Sequence, residues 1–147
     1  MRLLAIGVSI TAVLVLSGCS EVEVRPVDGS VHIAHVCIQE NPTVIVSDFI
    51  PVVQDGFSRH DISTEIISGG IPERCEFVLT YAADKTRDPV PPFFTYLSYG
   101  ELRLAREGRE IGYAVYDVNR SPIALDKTAG TKEKMDPVID KLLSSNR

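Results

Sequence analysis

The chain has 147 residues, of which 44% are hydrophobic and 24% charged, with 10 Gly, 9 Pro and no Trp. This composition is typical of one compact globular domain and excludes a collagenous, coiled-coil or largely disordered chain. Lys and Arg number 15 against 20 Asp and Glu, a formal net charge of -5. Because nucleic-acid binding rests on positive charge, we expect no nucleic-acid partner.

The first 18 residues have the layout of an export signal. Arg2 supplies a positive start, the run 3–16 is apolar apart from small or weakly polar residues, and Ser17 and Gly18 are small. A membrane-spanning helix needs about 20 apolar residues, and a buried amphipathic helix would show a polar face at helical spacing, which this run lacks. We therefore predict that residues 1–18 are a signal peptide.

The residues Leu16-Ser17-Gly18-Cys19 resemble the lipobox of bacterial lipoproteins. The resemblance implies cleavage before Cys19 and attachment of a diacylglycerol and an N-linked acyl chain to this residue. Several acyl chains anchor a protein stably to the lipid bilayer, because each buried methylene contributes about 0.8 kcal/mol. By the sorting rule of enteric lipoproteins, Ser20 implies the inner leaflet of the outer membrane, with the domain facing the periplasm.

Residues 19–30 read as the lipidated cysteine and a short tether, and residues 31–147 as a single domain. Residues 21–30 alternate charge with Val and contain Pro26 and Gly29, which is typical of a linker.

Two cysteines, Cys37 and Cys75, remain once Cys19 carries lipid. In the oxidising compartment that export implies, such a pair usually forms a disulfide. The alternatives are two separate buried thiols, or a reactive or metal-binding pair, which no Cys-x-x-Cys spacing supports. We predict a structural Cys37–Cys75 disulfide.

Hydrophobic periodicity then predicts seven elements in chain order. They are a strand over 31–38, a helix from residue 47 or 48 to about 59, strands over 61–68, 76–83, 93–105 and 111–118, and a helix from about 135 to 143. Loops are predicted over 84–92 and 119–130, and the Gly-containing turn 106–109 indicates a hairpin. The order βαββββα predicts an α+β fold of two layers, in which two helices cover one face of a mainly antiparallel sheet of about five strands. The strand, helix, strand opening predicts one parallel pair.

Three strings, at 36–42, 59–65 and 72–81, resemble small uncharacterised lipoproteins of Shewanella and related gammaproteobacteria. The order of elements is also similar to that of small α/β domains of envelope assembly proteins, such as the amino-terminal domain of TolB. These resemblances imply a role in the cell envelope and bring no catalytic activity with them.

Few residues form patterns that indicate chemistry. His35 and Cys37 share a strand face and could begin a copper or zinc site, but a disulfide-bonded cysteine offers no thiolate, so we predict no metal and no cofactor. His60-Asp61 resembles a catalytic dyad only in composition. Because no nucleophile motif such as Gly-x-Ser-x-Gly is present, we predict a non-enzymatic protein.

An aromatic set lies in the predicted strand over 93–105, directly after three prolines of the predicted loop 84–92. It consists of Phe93, Phe94, Tyr96 and Tyr99. Aromatic residues are common at protein interfaces, so this set is a candidate contact patch for another envelope protein, although Tyr96 and Tyr99 alternate and at least one should face the core. The predicted function is a binding or assembly module of the envelope. The alternative is a small-ligand-binding protein or enzyme with a site between loops 69–72 and 84–92.

Overall fold

Strands dominate the computed structural model, which describes residues 21–121 and 127–146. The strands are β1 (Val22–Arg25), β2 (His35–Gln39), β3 (Ser63–Ile67), β4 (Phe77–Arg87), β5 (Thr95–Arg106) and β6 (Arg109–Asp117). The helices are α1 (Phe49–Ser58) and α2 (Thr131–Leu142), and a 3₁₀ turn spans Val118–Arg120. Neither α1 nor α2 is long and apolar enough to cross a membrane.

The six strands form one open sheet in the order β1-β6-β5-β4-β2-β3. β2 lies parallel to both β3 and β4, and the remaining neighbours are antiparallel. The β5–β6 hairpin turns at Glu107 and Gly108, whose φ angles are 50° and 77°. Two consecutive positive φ angles give the turn the twist that antiparallel strands require, and glycine adopts such an angle without strain.

One face of the sheet carries the core. Alternate residues of β4 and β5 point towards the helices, and the register pairs Leu79 with Leu104 and Tyr81 with Leu102. The helices cover these side chains with their own apolar residues, which are Phe49, Val53 and Phe57 of α1 and Met135, Val138, Ile139 and Leu142 of α2. Both helices therefore lie on the same face, as predicted, and within residues 21–121 and 127–146 no helix covers the opposite face.

The predicted α+β class, the two helices and the parallel β2–β3 pair are confirmed, but the sheet has six strands. The prediction of a tether over residues 22–25 is wrong: they form β1, because Val22 and Val24 pack against the core while their backbone pairs with β6. A second parallel ladder, between β2 and β4, was not predicted. It arises because β2 lies between β3 and β4 in the sheet.

Three element boundaries also differ from the predictions. β4 continues to Arg87 through what was predicted to be a loop, since its pairing with β5 resumes after a bulge at Asp84/Lys85. β2 begins only at His35, because the main chain of Ile33 is hydrogen-bonded by the Asn146 side chain and not by a strand. α2 begins at residue 131, so Pro137 lies inside the helix and not in its first turn.

Candidate functional site

The strand directions define one end of the sheet, which we call the proximal end because the chain leads from it back towards Cys19. β1 and β5 begin at this end, and β2, β3, β4 and β6 finish there. The pairing with β6 continues one residue before β1, since the Asp117 amide donates to the Glu21 carbonyl at 2.8 Å. The backbone is thus held in the sheet to within two residues of Cys19.

The β4–β5 hairpin extends past β1 at the proximal end. Val22 is paired with Tyr116, and Tyr116 is paired with Gly100, so these residues share one row of the sheet. β5 begins five positions before Gly100, at Thr95, which pairs with Arg87. At about 3.3 Å per residue, this arm projects about 16 Å beyond the row of Val22. Residues 88–94 form the tip of the arm.

The structure places the predicted aromatic set in three surroundings and not in one patch. Phe93 is 46% exposed at the tip of the arm. The Phe94 ring lies 5.7 Å from that of Tyr96, which packs against the core. Tyr99 lies on the helix-free face, where its hydroxyl donates to Glu101. The expectation that Tyr96 and Tyr99 occupy opposite faces is met.

The helix-free face carries an ordered layer of charged and aromatic side chains over β1, β5 and β6. Arg103 occupies its centre, where its Nε donates to Glu101 at 2.6 Å, its Nη1 donates to Glu110 at 3.0 Å, and its guanidinium lies 4.7 Å from the centre of the Tyr113 ring. Arg25 pairs with the same Glu110. We call these residues, with Tyr99, the open-face layer.

This layer shields an apolar residue from water without a helix. Val115 is paired with Glu101 in the register, which places both side chains on the helix-free face, and yet Val115 is fully buried. The long side chains around it therefore lie flat across the sheet. The surface of the helix-free face is thus polar.

The pKa values of Tyr99 and Glu101 in the open-face layer are shifted away from neutral pH. Burial raises the pKa of Tyr99, and its bond to Glu101 raises it further. Burial alone would raise the pKa of Glu101, but the hydrogen bonds from Arg103 and Tyr99 outweigh it and hold the pKa below its ordinary value of 4.5. A general acid or base works best with a pKa near the operating pH. At neutral pH Tyr99 is therefore a neutral hydrogen-bond donor and Glu101 an ionised acceptor.

Cys37 and Cys75 form a disulfide, with their Cα atoms 5.8 Å apart, which confirms the predicted pairing. The neighbouring Glu65 receives two hydrogen bonds from Arg74, each of 3.1 Å, and one of 3.3 Å from His35. The bonds from Arg74 first, and then that from His35, lower the pKa of Glu65.

Potential metal-binding atoms of His35, Cys37 and Glu65 lie within 4.8 Å of one another. In the oxidised protein the sulfur of Cys37 is bonded to Cys75 and the carboxylate is occupied by Arg74. This cluster is therefore a disulfide flanked by an ion pair, and its chemistry does not fit a metal ion, which needs a free thiolate at that position.

His60 pairs with Asp140 of α2 at 2.9 Å, and not with its neighbour Asp61. Arg59 beside it also donates to Asp140 and to Asp136, each at 3.0 Å. These contacts join the C-terminal end of α1 to α2, so the residues hold the helices together and do not form a catalytic dyad.

Loops 69–72 and 84–92, which together formed the alternative ligand site, do not meet in any of three hollows on the surface of the described residues. These hollows measure about 210, 230 and 420 Å³. The second includes Lys85 and Phe94 but no residue of 69–72. A Cβ added to Gly69 or Gly70 would meet no heavy atom within 4 Å, so that turn projects into open space.

Sequence reasoning missed Lys134, a lysine of α2 that is only 3% exposed. Its ammonium donates to the carbonyls of Leu97 at 3.0 Å and Lys127 at 3.1 Å, and it lies 5.3 Å from the ring centre of Tyr96. It thereby joins α2 to the base of the β4–β5 arm. The sequence feature that could have indicated its burial is its position four residues before Val138, on the apolar side of the helix.

No family model and no curated protein matches the sequence. Among solved structures, the chain is similar to PelC from Paraburkholderia phytofirmans, crystallised as a dodecamer, with a TM-score of 0.55, 12% identity, and coverage of 86% of this chain and 98% of that one. The two chains share a fold. A single-substitution variant of that PelC gives the same TM-score and identity, with 85% and 96% coverage. A minor lipoprotein from Acinetobacter baumannii is a distant neighbour, with a TM-score of 0.33, 12% identity, and coverage of 77% and 87%.

Proposed function

We propose that this protein is a lipid-anchored, non-enzymatic binding or assembly module of the cell envelope. Acylated Cys19 would hold it on the inner leaflet of the outer membrane, with its domain in the periplasm. The lipobox at residues 16–19 supports the anchor, and the disulfide is consistent with an oxidising compartment.

The position of β1 is the observation that carries this proposal. Because β1 begins at Val22, the third residue after Cys19, the sheet starts almost at the lipid. Two extended residues span at most about 7 Å, so Cys19 can lie no farther than that from Glu21. A domain attached so closely is restricted in orientation, which is an advantage for assembly beside a membrane and has no evident benefit for a freely diffusing enzyme.

The open-face layer is the proposed binding surface. Tyr and Arg are enriched among the residues that dominate binding energy at protein interfaces. Here Tyr99, Arg103 and Tyr113 are already held in place by neighbouring carboxylates and rings, so binding would cost little additional side-chain entropy. Tyr99 is the member of the predicted aromatic set that belongs to this surface.

A second copy of this chain is the partner to test first. PelC, which shares the fold, was crystallised as a dodecamer. Fold similarity alone does not transfer function, so the supporting argument is the pre-ordered surface on a domain held at a fixed distance from the membrane.

The anchor is tested by separating membranes on a density gradient after expression of the full chain with its leader in a Gram-negative host. The wild type should sediment with outer membranes, and Cys19→Ala should leave them. Recovery of the wild type in the soluble fraction would contradict the proposal.

The surface is tested by cross-linking the acylated protein in native membranes. Arg103→Ser removes the centre of the layer, whereas Arg109→Ser removes an exposed arginine at the β5–β6 turn and serves as the matched control. Cross-linked products should be lost in the first variant and retained in the second. Equal products from both variants would show that the open-face layer is not the interface.

A further inference from the structure

The exposed large hydrophobic side chains of the described residues gather at the proximal end. They are Ile45, Ile66, Ile71, Val90 and Phe93, with exposed fractions between 46% and 89%. Ile45 follows β2, Ile71 follows β3, and Val90 and Phe93 follow β4, so each lies in a loop that leaves the proximal end. Ile66 is the penultimate residue of β3. Soluble surfaces rarely concentrate apolar side chains in this way unless the surface binds something.

The chain itself indicates what covers this end. The N-terminal segment also leaves the domain at the proximal end, and Cys19 lies three positions before Val22. Fully extended, this segment reaches at most about 11 Å beyond Val22. The β4–β5 arm projects about 16 Å beyond the same row, with Val90 and Phe93 at its tip. The tip therefore reaches at least the plane in which an acylated Cys19 would lie.

The side chains at the tip suit the boundary between water and lipid. Aromatic residues concentrate at the headgroup level of membranes. The guanidinium of Arg87 lies 5.6 Å from the ring centre of Phe93, which brings a cation next to the apolar tip, where lipid phosphates would be found.

We propose that the proximal end of the sheet docks onto the phospholipid surface beside the acyl chains, with Val90 and Phe93 inserted at the headgroup level. This inference rests on the proposed acylation of Cys19 and extends it, since it gives the domain a second contact with the bilayer and hence one orientation. A single lipid anchor leaves a domain free to rotate, whereas an anchor and an inserted tip together fix which face points away from the membrane. The open-face layer would then stand at a defined height and direction.

The absence of Trp from the sequence permits a clean test. Phe93→Trp introduces a single tryptophan at the tip of the arm, and Arg109→Trp introduces one at the exposed β5–β6 turn, at the opposite end of the sheet. The full acylated protein is reconstituted into vesicles of phosphatidylethanolamine and phosphatidylglycerol, with and without bromine on the acyl chains. We expect brominated lipid to quench the Phe93→Trp emission at least twofold and to leave the Arg109→Trp emission unchanged.

Three measurements decide whether the tip of the arm inserts into the bilayer: quenching by bromine, dependence of the emission on protein density, and the intact mass. Equal emission of Phe93→Trp in the two lipids would overturn the insertion, and so would an emission that responds to protein density and not to bromine, because that result indicates a contact between copies of the chain. Val90→Trp reports on the same tip if Phe93→Trp does not fold. The intact mass is measured first. A chain without acyl groups counts against the proposed function, whereas an acylated chain with an unquenched tip counts against this inference alone.

Discussion

Loss of the Cys37–Cys75 disulfide should lower the free energy of unfolding by about 4 kcal/mol. The bond closes a segment of 38 residues, and in the chain-entropy model a loop of this length contributes about 4 kcal/mol through restriction of the unfolded chain. Both sulfur atoms are also packed, since Cys37 is fully buried and Cys75 is 9% exposed beside Ile67 and Val78. The double variant Cys37→Ala/Cys75→Ala should therefore lose about 1 kcal/mol more.

The assay is urea unfolding at pH 7, with the free energy obtained by linear extrapolation. Three samples are compared, which are the oxidised wild type, the double variant and the wild type held reduced. The reduced wild type is the matched control, because it lacks the cross-link but keeps both sulfur atoms. It should account for most of the loss, and the double variant should be slightly less stable still.

A fall of less than about 1 kcal/mol in both the reduced protein and the double variant would refute this reasoning. It would mean that β2 and β4, which are already neighbours in the sheet, hold the loop closed in the unfolded ensemble without the bond. A large loss in the variant alone would assign the effect to packing and not to the cross-link.

Three further predictions concern the helices, the C-terminus and the open-face layer. Gly56→Ala should destabilise by about 1–2 kcal/mol in urea titrations, because the new Cβ would lie 2.7 Å from Cδ1 of Ile139, whereas Gly70→Ala, in open space, should be neutral; equal effects would contradict this packing. Asn146→Ala should lower the free energy of unfolding by about 1–3 kcal/mol in thermal melts, because it removes two bonds to the main chain before β2; an unchanged melting temperature would count against that role. Glu101→Gln should be less stable than the wild type at pH 7, and the difference should vanish as the pH falls below 4.5, since a carboxylate with a lowered folded pKa stabilises only while ionised; a difference that persists in acid would assign the effect to shape.

The sequence predicted most elements from local pattern, but it missed those that depend on distant partners. Val22, Glu23, Val24 and Arg25 alternate clearly, yet a strand of four residues followed by Pro26 is stable only because β6 pairs with it, and that pairing joins residues more than 85 positions apart. The bulge at Asp84 also depends on a distant partner, because it is a shift in the pairing of β4 with β5.

In the candidate site, too, some features follow from the local sequence and others depend on distant partners. The disulfide was predictable from cysteine number and compartment alone. The open-face layer was not, because Arg25, Arg103 and Glu110 come together only through the order of three strands. The proximal end likewise gathers residues from four separate stretches of sequence. Aromatic composition marked residue 93 as a candidate, but its position relative to Cys19 depends on strand direction.

The intact mass of the protein extracted from membranes tests the lipid anchor, on which the proposed envelope role depends, most directly. We expect a chain that begins at Cys19 and carries a diacylglyceryl group and an N-linked acyl chain on that residue. A chain that still begins at Met1, or that begins at Cys19 without acyl groups, would contradict the anchor and with it the orientation proposed for the domain.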